Sequence, residues 1–121
     1  VTVKRHRLFK RDGNNILLDM PISITQAALG AEIDVPTLDK PVKQTVAEGT
    51  QPETVLRIKG QGVPRLNGTG KGDLYVTLKV DVPRKLTEKQ KEILRQFEDT
   101  TTGKEYENKK SFMDRVKELF N

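Results

Sequence analysis

Hydrophobic residues along this chain change period once, and the change divides it. Up to residue 82 apolar side chains recur at every second position in short runs, and beyond Pro83 they recur at helical spacing. Ile16, Leu18, Met20 and Ile22 alternate with Asn15, Leu17, Asp19 and Pro21, which predicts a strand with one apolar side, although Leu17 blurs the alternation. Ile33 and Val35 against Glu32 and Asp34 predict a half-buried strand stopped by Pro36. Val42 to Val46 reads as a weaker strand, and Val55, Arg57 and Lys59 alternate with Leu56 and Ile58, Ile58 pointing inward. Leu74, Val76, Leu78, Val80 and Val82 give the cleanest alternation of all. At the start, Val1 and Val3 with Lys4 and Arg5, then Leu8-Phe9, fit the end of a strand.

The connections carry turn chemistry. Asp12-Gly13-Asn14-Asn15 predicts a hairpin or a change of strand, because Gly and Asn tolerate positive φ. Ser23-Ile24-Thr25-Gln26 has the form of a capping box and predicts one or two helical turns, ended by Gly30 in the left-handed conformation. Lys40-Pro41 makes a turn, Glu48 to Glu53 a polar loop, and the glycines from Gly60 to Gly72 punctuate a long connection. Short strands between such signals predict a mainly β fold, a small antiparallel β-sandwich-like domain with one short helix. After Pro83, Thr87-Glu88-Lys89-Gln90 is a second capping box, and Ile93, Leu94 and Phe97 share a helical face through Glu98. Residues 100–110 are polar, without period, and read as a mobile linker. Ser111 is placed to cap a last helix whose Phe112, Met113, Val116, Leu119 and Phe120 form one apolar stripe. The expected division is 1–12 as the end of a preceding β-domain and its connection, 13–84 as a β-domain, and 85–121 as a helical segment.

Composition narrows the chemistry. At 121 residues, 34% hydrophobic and 32% charged, the chain has room for one domain with a modest core, or a small domain and an appendage. No run approaches the roughly 18 apolar residues of a membrane-spanning helix, and the start does not resemble a signal peptide, so the expected compartment is the cytoplasm. The chain opens at Val1 in what already reads as a strand, as a piece of a longer protein would. With no cysteine and the single His6, neither a disulfide framework nor a zinc site is expected. Neither His6 nor Asp12, Asp19 and Asp34 has partners at catalytic spacing, so no enzyme activity is expected. Gly68-Thr69-Gly70-Lys71-Gly72 invites a phosphate-loop reading, but Gly72-Asp73 and a strand come next where a helix is needed. Asn67-Gly68-Thr69 fits a glycosylation pattern that matters only in secreted chains.

A net charge of +5 raises nucleic-acid binding as the alternative function. Interspersed acids and only 5% aromatics argue against it, and the one clearly basic stretch is Lys4, Arg5, His6, Arg7, Lys10 and Arg11. The terminal stripe argues for something else. A helix of about ten residues is not stable alone in water, so its apolar face must be covered either by the chain's own sheet or by the same helix of a second copy. The homodimer is the preferred reading.

Six blocks of sequence then carry a resemblance. They are Val3 to Gly13, Pro21 to Gly30, Val35-Pro36-Thr37-Leu38-Asp39, Glu48-Gly49-Thr50-Gln51, Arg57 to Pro64, and Gly72-Asp73-Leu74-Tyr75-Val76. In that order they resemble the second carboxyl-terminal domain of the bacterial DnaJ co-chaperone family, from the first residues to about Gln96. Ser111-Phe112-Met113-Asp114 is similar to the start of that family's dimerisation helix. Departures fall in turns: Lys40-Pro41 where glycine is common, Gln61 where lysine is usual, and Glu53 where glycine is frequent.

The resemblance implies a protein-folding and stress-response role, with a β-domain that holds unfolded client polypeptide, a dimer formed by the terminal helix, and a DnaK-type ATP-driven chaperone as partner. It also implies that the family's zinc, held by a cysteine-rich module, and its J domain lie outside this chain, which itself needs no cofactor. By analogy with the preceding domain of the family, the client groove is expected between the strand bearing Ile16 and Leu18 and the strand bearing Ile33 and Val35, although for any single one of these residues a core position is the preferred reading. Val35→Asp is accordingly expected to weaken client binding while leaving the domain folded.

Overall fold

The structure is a computed structural model that describes residues 8–66, 68 and 70–120. The first strand expectation at Val1 and Val3, the basic run Lys4 to Arg7 with His6, and Asn67 and Thr69 lie outside the described residues. The chain divides into two compact units, one ending at Pro83 and one beginning at Arg84.

The first unit is built from β1 (Phe9–Asp12), β2 (Asn15–Ser23), α1 (Ile24–Leu29), β3 (Ala31–Val35), β4 (Val42–Val46), β5 (Thr54–Ile58) and β6 (Leu74–Asp81). Four strands form one sheet in the order β1-β2-β6-β5, and β3 and β4 form a second. The architecture is mainly β with helices at the end, as the periodicity predicts, but one pairing departs from it. β2 and β6 run parallel, with Ile16 beside Leu74, Leu18 beside Val76, Met20 beside Leu78 and Ile22 beside Val80. Alternation states which face of a strand is apolar and is silent on the direction of its neighbour. Here the path through α1 and the second sheet brings the chain back alongside β2 in the same sense, so the fold is mixed rather than wholly antiparallel.

That register makes the core. Ile16, Leu18 and Ile22 on β2, Leu74, Val76 and Leu78 on β6, Ile58 on β5, Ile33 and Val35 on β3, Val46 on β4 and Ala27 on α1 form one buried cluster joining the two sheets. Each of the largest of these, Leu74 and Leu78, is fully buried, and truncation to alanine costs roughly 2–5 kcal/mol.

The boundary expected after residue 12 does not hold. β1 pairs antiparallel with β2, Asp12 facing Asn15 across a tight turn, so residues 9–12 belong to the same sheet as β2, β6 and β5. Gly13, with φ of 63°, takes the position that a type II′ turn reserves for glycine. The β1–β2 turn also receives the long connection. Val63 N–H donates to the Asn14 carbonyl at 2.8 Å, Asn14 Nδ2 to the Pro64 carbonyl at 3.0 Å, and Asp73 N–H to Asn15 Oδ1 at 2.8 Å. A Cβ on Gly62 or Gly72 would run into the Asn14 carbonyl, so these two glycines serve close backbone approach.

α1 starts at the predicted capping box, Ser23 Oγ accepting from Gln26 N–H and Gln26 Oε1 from Ser23 N–H. Its end differs from expectation. Gly30 has φ 81° and ψ 156°, an extended positive-φ region open essentially to glycine alone, rather than the left-handed helical one. A Cβ there would sit 3.0 Å from the Val46 carbonyl oxygen.

The second unit holds α2 (Glu88–Thr100) and α3 (Glu107–Leu119). Thr87 and Gln90 form the predicted capping box. The expected linker over 100–110 shrinks to residues 101–106, because α3 begins at Glu107 and Ser111 lies inside it. No side chain caps its first turn. Glu105 Oε1 accepts the Thr102 and Gly103 N–H groups at 3.0 and 3.1 Å and orders the turn, with Gly103 at φ 95°. Glu107 then places a negative charge at the helix start.

Candidate functional site

The resemblance points to four residues as the lining of a client groove, and the structure places all four in the core. Ile16 is 4% exposed, Leu18 3%, Ile33 6% and Val35 0%. β2 and β3 belong to different sheets, and these side chains pack the two sheets together rather than facing solvent. The alternation that singles them out is the same signal that marks a core face, which is why sequence does not separate the two roles. Val35→Asp would bury an unpaired carboxylate, so the expectation that the domain survives this change is corrected: the variant unfolds the β unit.

What these strands do offer is backbone. Among the described residues β3 is bonded to β4 alone, which leaves its other edge with N–H and C=O groups not used in the sheet, and β5 likewise ends the larger sheet. The outward face of β3 carries Glu32 and Asp34, both exposed. Leu29, at the end of α1 just before β3, is exposed as well. Alternation does not single it out; its place after a capping box and before Gly30 is the signal available in the sequence.

The five residues of the terminal stripe are brought to one short helix and its end. Phe112 is 57% exposed, Met113 47%, Leu119 80% and Phe120 84%, with Val116 half-buried. No residue of α2 or α3 is buried. Ile93 and Phe97 on α2 are each half exposed, a second uncovered apolar face that sequence shows as a helical stripe without assigning it a role. Beside α3, Lys104, Lys109, Lys110 and Lys117 share a groove with Glu98 and Asp114, and Lys109 Nζ lies 6.0 Å from the centre of the Tyr106 ring.

Among the described residues the shifted groups all lie in structural contacts: Arg57 with Asp73, Lys79 with Glu53, and Glu105 with the backbone of its own turn. The Gly60 N–H, 3.0 Å away, and then the Arg57 guanidinium hold the Asp73 carboxyl below the ordinary carboxylate range. Arg57 Nη2 is 2.7 Å from Asp73, and that hydrogen bond raises the guanidinium in turn. Glu53 stands in the left-handed region at φ 68°, and both its oxygens accept from Lys79 Nζ at 2.8 and 2.9 Å. Among the described residues no three His, Cys, Asp or Glu side chains converge on a metal-sized space. Lys71 sits in a bridge opposite Pro64, and the next element is a strand, not a helix. No helix among the described residues is long and apolar enough to cross a membrane.

Comparison with known proteins decides the family. The profile of the DnaJ C terminal domain matches residues 1–83, two thirds of the chain and the whole of the β unit. The chain belongs to the DnaJ C-terminal domain family. A second profile, the chaperone protein DnaJ C-terminal region, matches residues 89–121, which hold α3 and all of α2 but its first residue. Chaperone protein DnaJ of Ruminiclostridium cellulolyticum is 51% identical over 99% of the chain, that of Clostridioides difficile 50% over 99%, and that of Fusobacterium nucleatum 43% over 99%. The chain spans about a third of the length of these DnaJ relatives, 31–32%.

Proposed function

We propose that this chain is the client-holding and dimer-forming end of a DnaJ-type co-chaperone, acting in the cytoplasm and passing non-native polypeptide to a DnaK-type ATP-driven partner. The observation that carries the reading is the match along 99% of the chain to proteins named chaperone protein DnaJ. Two features of the geometry support it. Half-bonded strands give an extended segment a place to add main-chain hydrogen bonds, which do not depend on client sequence. A helical unit with no buried residue has an apolar stripe that a second copy would cover by an isologous contact through Phe112, Met113, Val116, Leu119 and Phe120. In this reading the client adds to the edge of β3, and Ile16, Leu18, Ile33 and Val35 hold that edge in place from within. Two weak sites joined in one dimer then bind a long client more tightly than either alone.

The test combines sedimentation with suppression of aggregation of an unfolded protein, for the whole chain and for a truncation ending at Pro83. The whole chain is expected to sediment as a dimer and to suppress aggregation. The truncation is expected to be a folded monomer that suppresses less at equal chain concentration. A monomeric whole chain that is indifferent to unfolded protein would contradict the proposal.

A further inference from the structure

The four outer strand edges of the β unit differ in charge. β1 carries Lys10, Arg11 and Asp12 among its exposed residues, β4 carries Lys43 and Thr45, and β5 carries Val55 and Arg57. On β3 the two exposed side chains, Glu32 and Asp34, are both acidic, and they alternate with the buried Ile33 and Val35. Among the described residues neither carboxylate closes an ion pair; Lys43 is the register partner of Asp34 on β4, Thr45 that of Glu32. The next residues in each direction add no described cation until Lys40, beyond the turn that Thr37 closes by donating to the Lys40 carbonyl.

We infer that the free edge of β3 selects extended segments in which basic residues alternate with apolar ones, Lys or Arg lying outward beside Glu32 and Asp34. The inference rests on the proposed client-holding role and names the class of segment that this edge takes. A strand added to β3 brings its own side chains about 4.5–5.5 Å from those of β3, so every second residue of the guest falls beside a carboxylate. Like charge directly opposite is unfavourable by a similar amount, which makes the discrimination between Lys and Glu at two positions larger than either attraction alone. The guest's other face turns the same way as Ile33 and Val35, where apolar residues belong. This preference runs against the whole molecule. With a net charge of +5 the chain as a body attracts acidic peptides, so a preference for basic ones has to come from a local surface.

Three peptides of equal length test this by fluorescence titration of the 121-residue chain at low salt: alternating Val with Lys, with Thr, or with Glu. The Lys peptide should bind about tenfold more tightly than the Glu peptide, with the Thr peptide between them. In the exposed double variant Glu32→Gln/Asp34→Asn the three affinities should converge to within about twofold while Thr-peptide binding is kept, and amide exchange should slow on β3 in both proteins. Equal affinities in the unaltered chain, a Glu-peptide preference, or a Lys preference that survives the double variant each overturn the inference while leaving client holding intact. Binding of none of the three overturns both.

Discussion

In the β unit Leu74, Leu78, Val76, Val35 and Val46 are closed off from solvent, whereas in the helical unit neither α2 nor α3 has a single buried residue and Phe112, Leu119 and Phe120 are more than half exposed. The two regions have comparable local order. Both α1 and α2 open with a complete capping box, and the turn before α3 is tied by Glu105. The difference lies in what the apolar faces meet. The stripes of β2 and β6 in one sheet and of β3 in the other meet in one buried cluster within one copy, while no residue of the two 13-residue helices is buried. Capping fixes where a helix begins; it supplies about 1 kcal/mol and does not replace a packed face.

Substitutions can break this contrast, beginning with the largest effect. Val35→Asp places a charge where nothing can pair with it, and a loss of roughly 4 kcal/mol or more should abolish the cooperative unfolding transition of the β unit. Phe112→Ala should leave that transition unchanged and, in the proposed dimer, yield monomers, since truncating a Phe covered there by a second copy would cost roughly 3–5 kcal/mol of association; sedimentation against concentration checks it. A variant that stays dimeric would move the interface elsewhere, with Ile93 and Phe97 the next candidates. Gly72→Ala drives a methyl into the Asn14 carbonyl and should cost about 1–3 kcal/mol in denaturant melts.

Acid sharpens the same comparison within the β unit. Because the folded-state pKa of Asp73 lies below its unfolded value, its contribution is complete above about pH 4 and is lost as pH falls through the folded value. Asp73→Asn should therefore melt earlier at pH 7, and the gap to the parent chain should close on acidification below about pH 4. The smallest effect is expected at Glu53→Gly. Relief of the left-handed backbone offsets the lost pair with Lys79 and the added freedom of the unfolded chain, leaving a change within about 1 kcal/mol.

Much of the β unit is legible in the sequence because its signals are local. Alternation places β2 through β6, and Ser23, Gln26, Thr87 and Gln90 mark two helix starts to the residue. The features that escape it depend on partners distant in the chain. The parallel sense of β2 against β6 comes from the route between them, and the membership of residues 9–12 in the same sheet comes from a hairpin whose far strand is also needed elsewhere. The start of α3 at Glu107 escapes because its turn is ordered by a carboxylate outside the helix, Glu105, rather than by a serine within the expected pattern. The site is least legible. Alternation marks Ile33 and Val35 equally as groove or core, and burial settles them as core. The same strand's proposed contribution to binding then rests on its unbonded backbone and on Glu32 and Asp34, which periodicity records only as polar.

On the proposed reading the β unit is complete in one copy and the helical unit only in two. Residue-resolved amide exchange of the unaltered chain, measured across a wide range of protein concentration, tests it directly. Protection in β2 and β6 should be independent of concentration, while protection in α3 should fall as the protein is diluted through its dissociation. Protection in α3 that is unchanged in a demonstrably monomeric sample would contradict the claim.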